Sequence, residues 1–418
     1  MKPSSARSTQ RLPLRLFNGA SRIMGRLGRR KPGLAASEDA FHHAARAAVG
    51  FDDFGGSSYL EGLRVLLDAY DREARLTPFG RVMVDQQLVG VLKNRLVAEK
   101  AWRAAPRIIE HEIRRPIFIL GLPRTGTTAL HHLLGQDPGI QVLEYWLAAA
   151  PSPRPPRSEW ERDPRFKQAA RDLKTMYFLD PSLKAMHLMT PDGPEECRHL
   201  MMQSFTDDTF DCNSTIPSYS AWYEAHDMVD SYARHRDLLK LIGSPQPERR
   251  WVLKYPVHMR NLRTLFTIYP DACIVQTHRD PTKVIPSLCS LVASWRAIYE
   301  DDPDRRAVAA WQLELWARGM EHGMEVRRER GAAQFFDLQF REVLGDPVGA
   351  VRRMYAHFGV ELTDTAERSM RRWHADNPQG KHGEHRYAAE DFGLGARAIT
   401  DRYAAYIEHF GVEREGPS

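Results

Sequence analysis

Cysteine is scarce in this 418-residue chain, and Cys197, Cys212, Cys273 and Cys289 are scattered with no C-x-x-C pair. That excludes a disulfide framework or a zinc knuckle and points to a reducing, cytoplasmic setting. No apolar run reaches the roughly 18 residues a membrane-spanning helix needs. The seventeen histidines contain no H-E-x-x-H pattern, and His131 and His132 sit side by side on a predicted helix, facing apart. No metal site is expected. Internal repeats are lacking too. Charge of either sign is modest: 59 Lys and Arg against 54 Asp and Glu give a net +5. Such a balance suits a small anionic ligand, and no nucleic-acid partner is expected.

Acid is missing altogether from residues 1–34, which hold nine Lys or Arg, with Leu14, Leu16, Phe17, Ile23, Met24 and Leu27 interspersed. No continuous apolar stretch follows the basic residues, so a secretory signal is not indicated. The segment has two readings: an amphipathic tail in peripheral contact with anionic lipid, or a solvated tail, as Pro13, Gly19, Gly25 and Gly28 suggest. A transit peptide has a similar composition. Residues 1–40 are expected to form this tail.

Beyond it, 41–110 reads as a helical region, with amphipathic segments at 57–73 and 77–102 and Thr77 as the N-cap of the second. Short apolar runs at 116–120, 251–255, 272–277 and 334–339 read as buried strands, and helical patterns follow each. Strands alternating with helices predict an α/β fold with a parallel sheet flanked by helices. Residues 111–360 form this core, and the aromatic- and Met-rich stretch at about 160–245 reads as a helical insertion roofing a site. Pro-rich Ala150 to Arg157 is an extended loop, and 361–418 a C-terminal segment closing over the site.

One segment carries the chemistry. Gly121-Leu-Pro-Arg-Thr-Gly-Thr-Thr128 lies between a predicted strand and a predicted helix. Main-chain N–H groups of such a loop, with the unpaired N–H groups of the helix start, cradle an anion. Gly126 lets that backbone approach a phosphate closely. The spacing is that of a P-loop, but Thr127 stands where an NTPase carries lysine, and Arg124 supplies a cation instead.

Pro123-Arg-Thr-Gly-Thr-Thr128 resembles the loop with which PAPS-dependent sulfotransferases hold the 5′-phosphosulfate of their donor, 3′-phosphoadenylyl sulfate. Arg279 at the end of a predicted strand, with Ser287 eight residues on, resembles that family's grip on the 3′-phosphate; a guanidinium offers forked donors to phosphate oxygens. Val252-Leu-Lys-Tyr-Pro-Val-His258 resembles a strand end of bacterial members, with Tyr255 replacing a small hydroxyl residue. The stretch at Gly383 to Gly393 is also similar to that branch, with Lys381 and Arg386 able to close over the donor. The resemblance implies sulfuryl transfer from PAPS, without metal, to a hydroxyl of a small or lipid-like acceptor. Arg124, Thr125, Gly126, Thr127, Thr128, Arg279 and Ser287 would bind the donor, and Lys254 would neutralise charge on the leaving oxygen.

For the general base, His258 is the first candidate, an imidazole beside Lys254. Glu144 is the second, near where related enzymes carry a catalytic glutamate. Glu195 and Glu196 read as a solvated helix face, and His278 as a residue orienting its loop. Two other functions compete: an atypical P-loop kinase or NTPase, which would need Mg²⁺ and prefer ATP, and an inactive nucleotide-binding scaffold. Oligomeric state is not encoded in these patterns.

Overall fold

The computed structural model describes Leu14 and residues 17–21, 32–179, 181, 184, 188–378 and 389–416. Lys381 and Arg386, and most of the Gly383 to Gly393 stretch, lie outside the described residues.

Among the described residues, five parallel strands form one sheet in the order β2-β3-β1-β4-β5. They are β1 (Ile117–Gly121), β2 (Ile140–Val142), β3 (Arg250–Lys254), β4 (Cys273–His278) and β5 (Phe335–Gln339). Every residue of β1 and β4 is buried, which is why these strands appear in the sequence as unbroken apolar runs rather than as alternations. Side chains alternate between two cores. Ile117 and Ile119 face a small core with Leu130, Leu134, Val351 and Tyr355. Phe118 and Leu120 face the larger core, which takes in the N-terminal helices and the segments between β2 and β3.

The predicted strands at 116–120, 251–255, 272–277 and 334–339 are thus present within a residue or so. β2, three residues long at the sheet's edge, carries no pattern that would announce it. The helical pattern expected after β3 is split into a 3₁₀ turn, Pro256–Asn261, and a helix, Leu262–Ile268.

Thr77 caps the Pro78–Ala104 helix, its hydroxyl accepting from Gly80 N at 2.9 Å. Thr77 N–H donates to Tyr299 O at 2.9 Å, so this helix start is clamped against the end of the Pro281–Tyr299 helix. A Cβ on Gly80 would collide with the Tyr299 carbonyl, whereas one on Gly90 of the same helix would meet nothing within 4 Å. Gly80→Ala should therefore cost about 2 kcal/mol or more by overpacking. Gly90→Ala should add about 0.5–1 kcal/mol through helix propensity. Denaturant midpoints of the two variants check this, and equal shifts would refute the clamp.

Candidate functional site

Because all strands run parallel, β1, β3 and β4 present their carboxyl ends on one edge, where open α/β sheets bind ligands. β1 pairs with β4 in a register that sets Gly121 opposite Thr277, so the loops leaving these strands emerge side by side.

The β1 loop is held in a left-handed path: φ is 69° at Arg124 and 88° at Gly126, which caps the Thr127–Leu134 helix. Only glycine takes the second conformation without strain. A Cβ there would also press on the Phe340 ring at 3.3 Å. Thr125 is fully buried; its hydroxyl donates to Leu122 O at 2.7 Å and shares a 2.5 Å hydrogen bond with the Thr277 hydroxyl. The side chain of Thr125, expected to touch a ligand, instead pins the loop to β4, which leaves its backbone for any anion.

Arg279 reaches the same loop. Its Nη1 donates to Arg124 O at 3.0 Å, and its guanidinium lies 3.9 Å from the Phe340 ring centre. Asp280 caps the following helix, accepting from Thr282 N at 2.9 Å. Ser287 lies buried within that helix. Lys254, only 2% exposed at the end of β3, donates through Nζ to Glu196 at 2.6 Å and to Thr128 Oγ1 at 3.4 Å. The structure thus brings Arg124, Gly126, Thr127, Thr128, Lys254 and Arg279 to one edge.

It sets two others apart. His258 enters the 3₁₀ turn after β3 and rotates inward: Nδ1 lies 2.7 Å from the Tyr232 hydroxyl and the ring stands edge-on to Phe118. Glu144, buried at a helix start, is locked to Arg154, which donates to it through Nη2 at 3.0 Å and Nε at 3.2 Å. Arg154 comes from the Pro-rich loop and also binds Val142 O. Neither His258 nor Glu144 lines the cavity described next. His278 holds Asp337 at 2.9 Å and stacks on Phe410, with ring centres 4.1 Å apart.

A cavity of about 330 Å³ opens beside the loop. Thr127, Thr128 and Arg124 form its polar end, and Met83, Met176, Met189, Leu288, Leu291 and Trp295 line apolar walls. Glu195 and Glu196 line it too. They are not a solvated helix face: both are nearly buried in an extended stretch where Glu195 N–H donates to Leu143 O at 2.7 Å. Glu196 also accepts from Arg198 Nε at 2.9 Å. Tyr255 lines the cavity with its hydroxyl 2.7 Å from Asp207 and 2.6 Å from Asp208. Burial and the neighbouring Asp208 push the Asp207 carboxyl up to about 7.

Beneath the site, Cys197, His235 and His258 each bring a potential ligand atom within 4.8 Å of the others, all three fully buried. Their separation in the sequence hides this cluster. The Nδ1 atoms of both rings meet tyrosine hydroxyls, Tyr269 for His235 and Tyr232 for His258. Aromatic rings pack around them.

Parallel strands, a left-handed loop capping a helix, and cations gathered at the sheet's carboxyl edge define a P-loop-type α/β protein. The chain belongs to the sulfotransferase family, whose model its residues 116–364 match. It is similar to the crystal structure of sulfotransferase STF1 from Mycobacterium tuberculosis, with 38% identity, a TM-score of 0.80, and coverage of 90% of this chain and 100% of that one. Sulfotransferase STF9 from Mycobacterium avium is similar at 28% identity and a TM-score of 0.83, covering 91% of this chain and 98% of that one. The omega-hydroxy-beta-dihydromenaquinone-9 sulfotransferase Stf3 of Mycobacterium bovis is 26% identical over 313 residues, 72% of this chain and 76% of the relative.

Burial holds the His131 and His235 imidazoles down to about 3 and lowers His199, His258 and His278 as well. Folding keeps these rings neutral, while the unfolded chain protonates them near 6.5. Their contribution is present above that value and is lost as pH falls from about 6.5 toward 3; the buried carboxyls of Asp207, raised to about 7, and of Asp208 and Glu144, also raised by burial, oppose it in part. Unfolding free energy should drop by at least about 1 kcal/mol per pH unit below 6.5. Denaturant curves at pH 7.5 and 5.5 test this, and equal midpoints would contradict it.

Proposed function

We propose that this sulfotransferase takes its sulfuryl group from PAPS and delivers it to the hydroxyl of an apolar, lipid-like acceptor seated in the cavity. The observation that carries the donor assignment is the joining of Arg279 to the carbonyl of Arg124. It gathers a main-chain cradle and a forked cation at one edge, as a nucleotide with phosphates at both its 5′ and 3′ positions requires. Thr127 in place of the P-loop lysine speaks against a kinase or NTPase. The acceptor class is supported by the Met-, Leu- and Trp-lined walls and by the Stf3 relatives, named for a hydroxylated menaquinone. A volume of about 330 Å³ suits the reacting end of such a molecule.

In this reading Gly126, Thr127 and Thr128 hold the 5′-phosphosulfate with main-chain N–H groups, and Arg124 adds charge. The acceptor oxygen forms a bond to sulfur as the bond from sulfur to the bridging oxygen breaks. The electron pair stays on that oxygen, and the departing nucleotide is adenosine 3′,5′-bisphosphate, PAP. Lys254 stabilises the charge that grows there. Glu195 accepts the acceptor's proton. Its Oε1 accepts from Glu196 N at 2.9 Å, which fixes the carboxylate at the cavity wall, while Glu196 is committed to Lys254 and Arg198. Glu196 keeps Lys254 in place.

Isothermal titration should show PAP binding in strong preference to ATP, and Arg279→Ala should weaken PAP without unfolding the protein. Arg124→Ala and Lys254→Ala should abolish transfer, a loss of about 10²-fold or more in kcat. Glu195→Gln should lose about 10²–10⁴-fold in kcat while keeping PAP affinity. Full activity in Glu195→Gln would eliminate it as the base, and ATP binding as tightly as PAP would eliminate the donor assignment.

The same reading places the protein at the surface of an anionic membrane, from which such an acceptor would enter. Two observations support this. Residues 1–34 carry nine cations and no acid, and the segment's described part is anchored beside the cavity. Phe17 stands edge-on to Phe79 at 5.7 Å, Asn18 accepts from Phe79 N at 2.9 Å, and Met83, one helical turn on, lines the cavity. The protein should co-sediment with phosphatidylglycerol vesicles and not with phosphatidylcholine, and deleting residues 1–13 should reduce this while sparing turnover of a soluble alcohol. Equal sedimentation with both lipids would refute it.

A further inference from the structure

Arg279 is held by more than the loop. Its Nε and Nη2 donate to the two carboxylate oxygens of Glu415 at 2.7 and 2.9 Å, a forked pair. Glu415 is not carried there on a loose end. Its own N–H donates to Asp280 Oδ2 at 2.9 Å, the carboxylate whose other oxygen caps the Pro281–Tyr299 helix. Upstream, Val412 is buried, and Phe410 stacks on His278 while its carbonyl accepts from Gln339 at 2.9 Å. Tyr406 accepts from Arg279 N at 3.3 Å, and Glu413 pairs with Arg341. The C-terminal segment thus packs across the ends of β4 and β5 and sets one carboxylate on the outer edge of the guanidinium.

We infer that Glu415 is an internal competitor for the donor's 3′-phosphate, exchanging with it on Arg279 in every turnover and easing release of the spent nucleotide. This rests on the assignment of Arg279 to that phosphate. Nη1 is committed to Arg124 O, and Phe340 covers a face of the guanidinium, so the edge that Glu415 occupies is where a second anion with forked oxygens would dock. A dianionic phosphate outcompetes a monoanionic carboxylate on such a fork, but must first displace it. When PAP leaves, the carboxylate returns, and Arg279 is never left without an anion. Both side chains are partly exposed, at 23% and 35%, so the exchange needs no opening of the core.

The test is PAP binding by titration calorimetry to the full chain carrying Glu415→Gln, which keeps the shape and removes the charge, with adenosine 5′-phosphate as the control ligand. PAP should bind about fivefold more tightly than to the native chain, the upper end of what a partly exposed ion pair contributes, and adenosine 5′-phosphate should be unaffected. The gain should vanish in an Arg279→Ala background. Unchanged or weakened PAP binding in Glu415→Gln would overturn the inference and make Glu415 a residue that merely orients Arg279. If PAP bound the native chain no better than adenosine 5′-phosphate did, the donor assignment itself would fall, and this inference with it.

Discussion

The site depends on the pairing of β1 with β4. Once Ile117 lies against Cys273 and Gly121 against Thr277, the two loops that carry Arg124 and Arg279 have no choice but to leave the sheet together. The 2.5 Å hydrogen bond between the Thr125 and Thr277 hydroxyls then fixes the loop to the neighbouring strand, deep enough that neither threonine is exposed. That bond lets Arg124 and Gly126 hold left-handed conformations, which cost free energy for any residue but glycine. The strain at Arg124 is thus carried by buried hydroxyls one layer below it. A loop tied only to its own helix would relax, and its N–H groups would no longer converge.

The second constraint is charge in a nearly dry place. Lys254 and Glu196 are 2% and 5% exposed, and a lone buried ammonium would be costly; as a pair, with Arg198 and Thr128 adding hydrogen bonds, they are tolerated. Such a pair does not exist to stabilise the fold, since apolar residues of similar volume would often do that at least as well. Its place at the polar end of an apolar cavity fits the role proposed for Lys254, since a cation in low dielectric acts strongly on charge that develops during reaction. The Tyr255, Asp207 and Asp208 cluster continues this polar seam along the same wall. The Tyr255 hydroxyl reaches both carboxyls, and burial beside Asp208 favours the protonated form of Asp207, which lets the two buried acids coexist there.

Much of this architecture could be read directly from the chain. β1 and β4 are buried throughout and β3 nearly so, so each shows as a compact apolar run; the edge strand β5 is half-buried at Phe336, Asp337 and Gln339 but still shows through Phe335, Phe336 and Leu338, and the loop between β1 and its helix declares itself through Gly121, Gly126 and Thr127. What the chain hides are directions and long-range partners. Thr125 and Thr127 are similar letters two apart, yet one points into the sheet and the other lines the cavity. His258 follows Lys254 by four residues, a spacing that suggests proximity. The tight 3₁₀ turn at Pro256–Asn261 sends the ring under Phe118, while Lys254 points at the cavity's polar end.

The two glutamates show the same limit more sharply. Glu144 looks free because the arginine that neutralises it comes from a Pro-rich loop whose path no local pattern foretells. Glu195 and Glu196 look like an exposed acidic pair because neighbouring acids usually are. Their burial follows from a strand-like contact, Glu144 bridging Pro194, and from Cys197 N–H donating to Lys254 O at 3.2 Å, which draws this stretch against the end of β3. The chain therefore delivers a carboxylate pair to the cavity through main-chain hydrogen bonds, and these are made by every residue type alike. A side chain positioned by backbone hydrogen bonds leaves little trace in local sequence, whereas a loop shaped by a glycine, such as the one around Gly126, leaves a clear one. The division between what could and could not be foreseen in this site follows that difference.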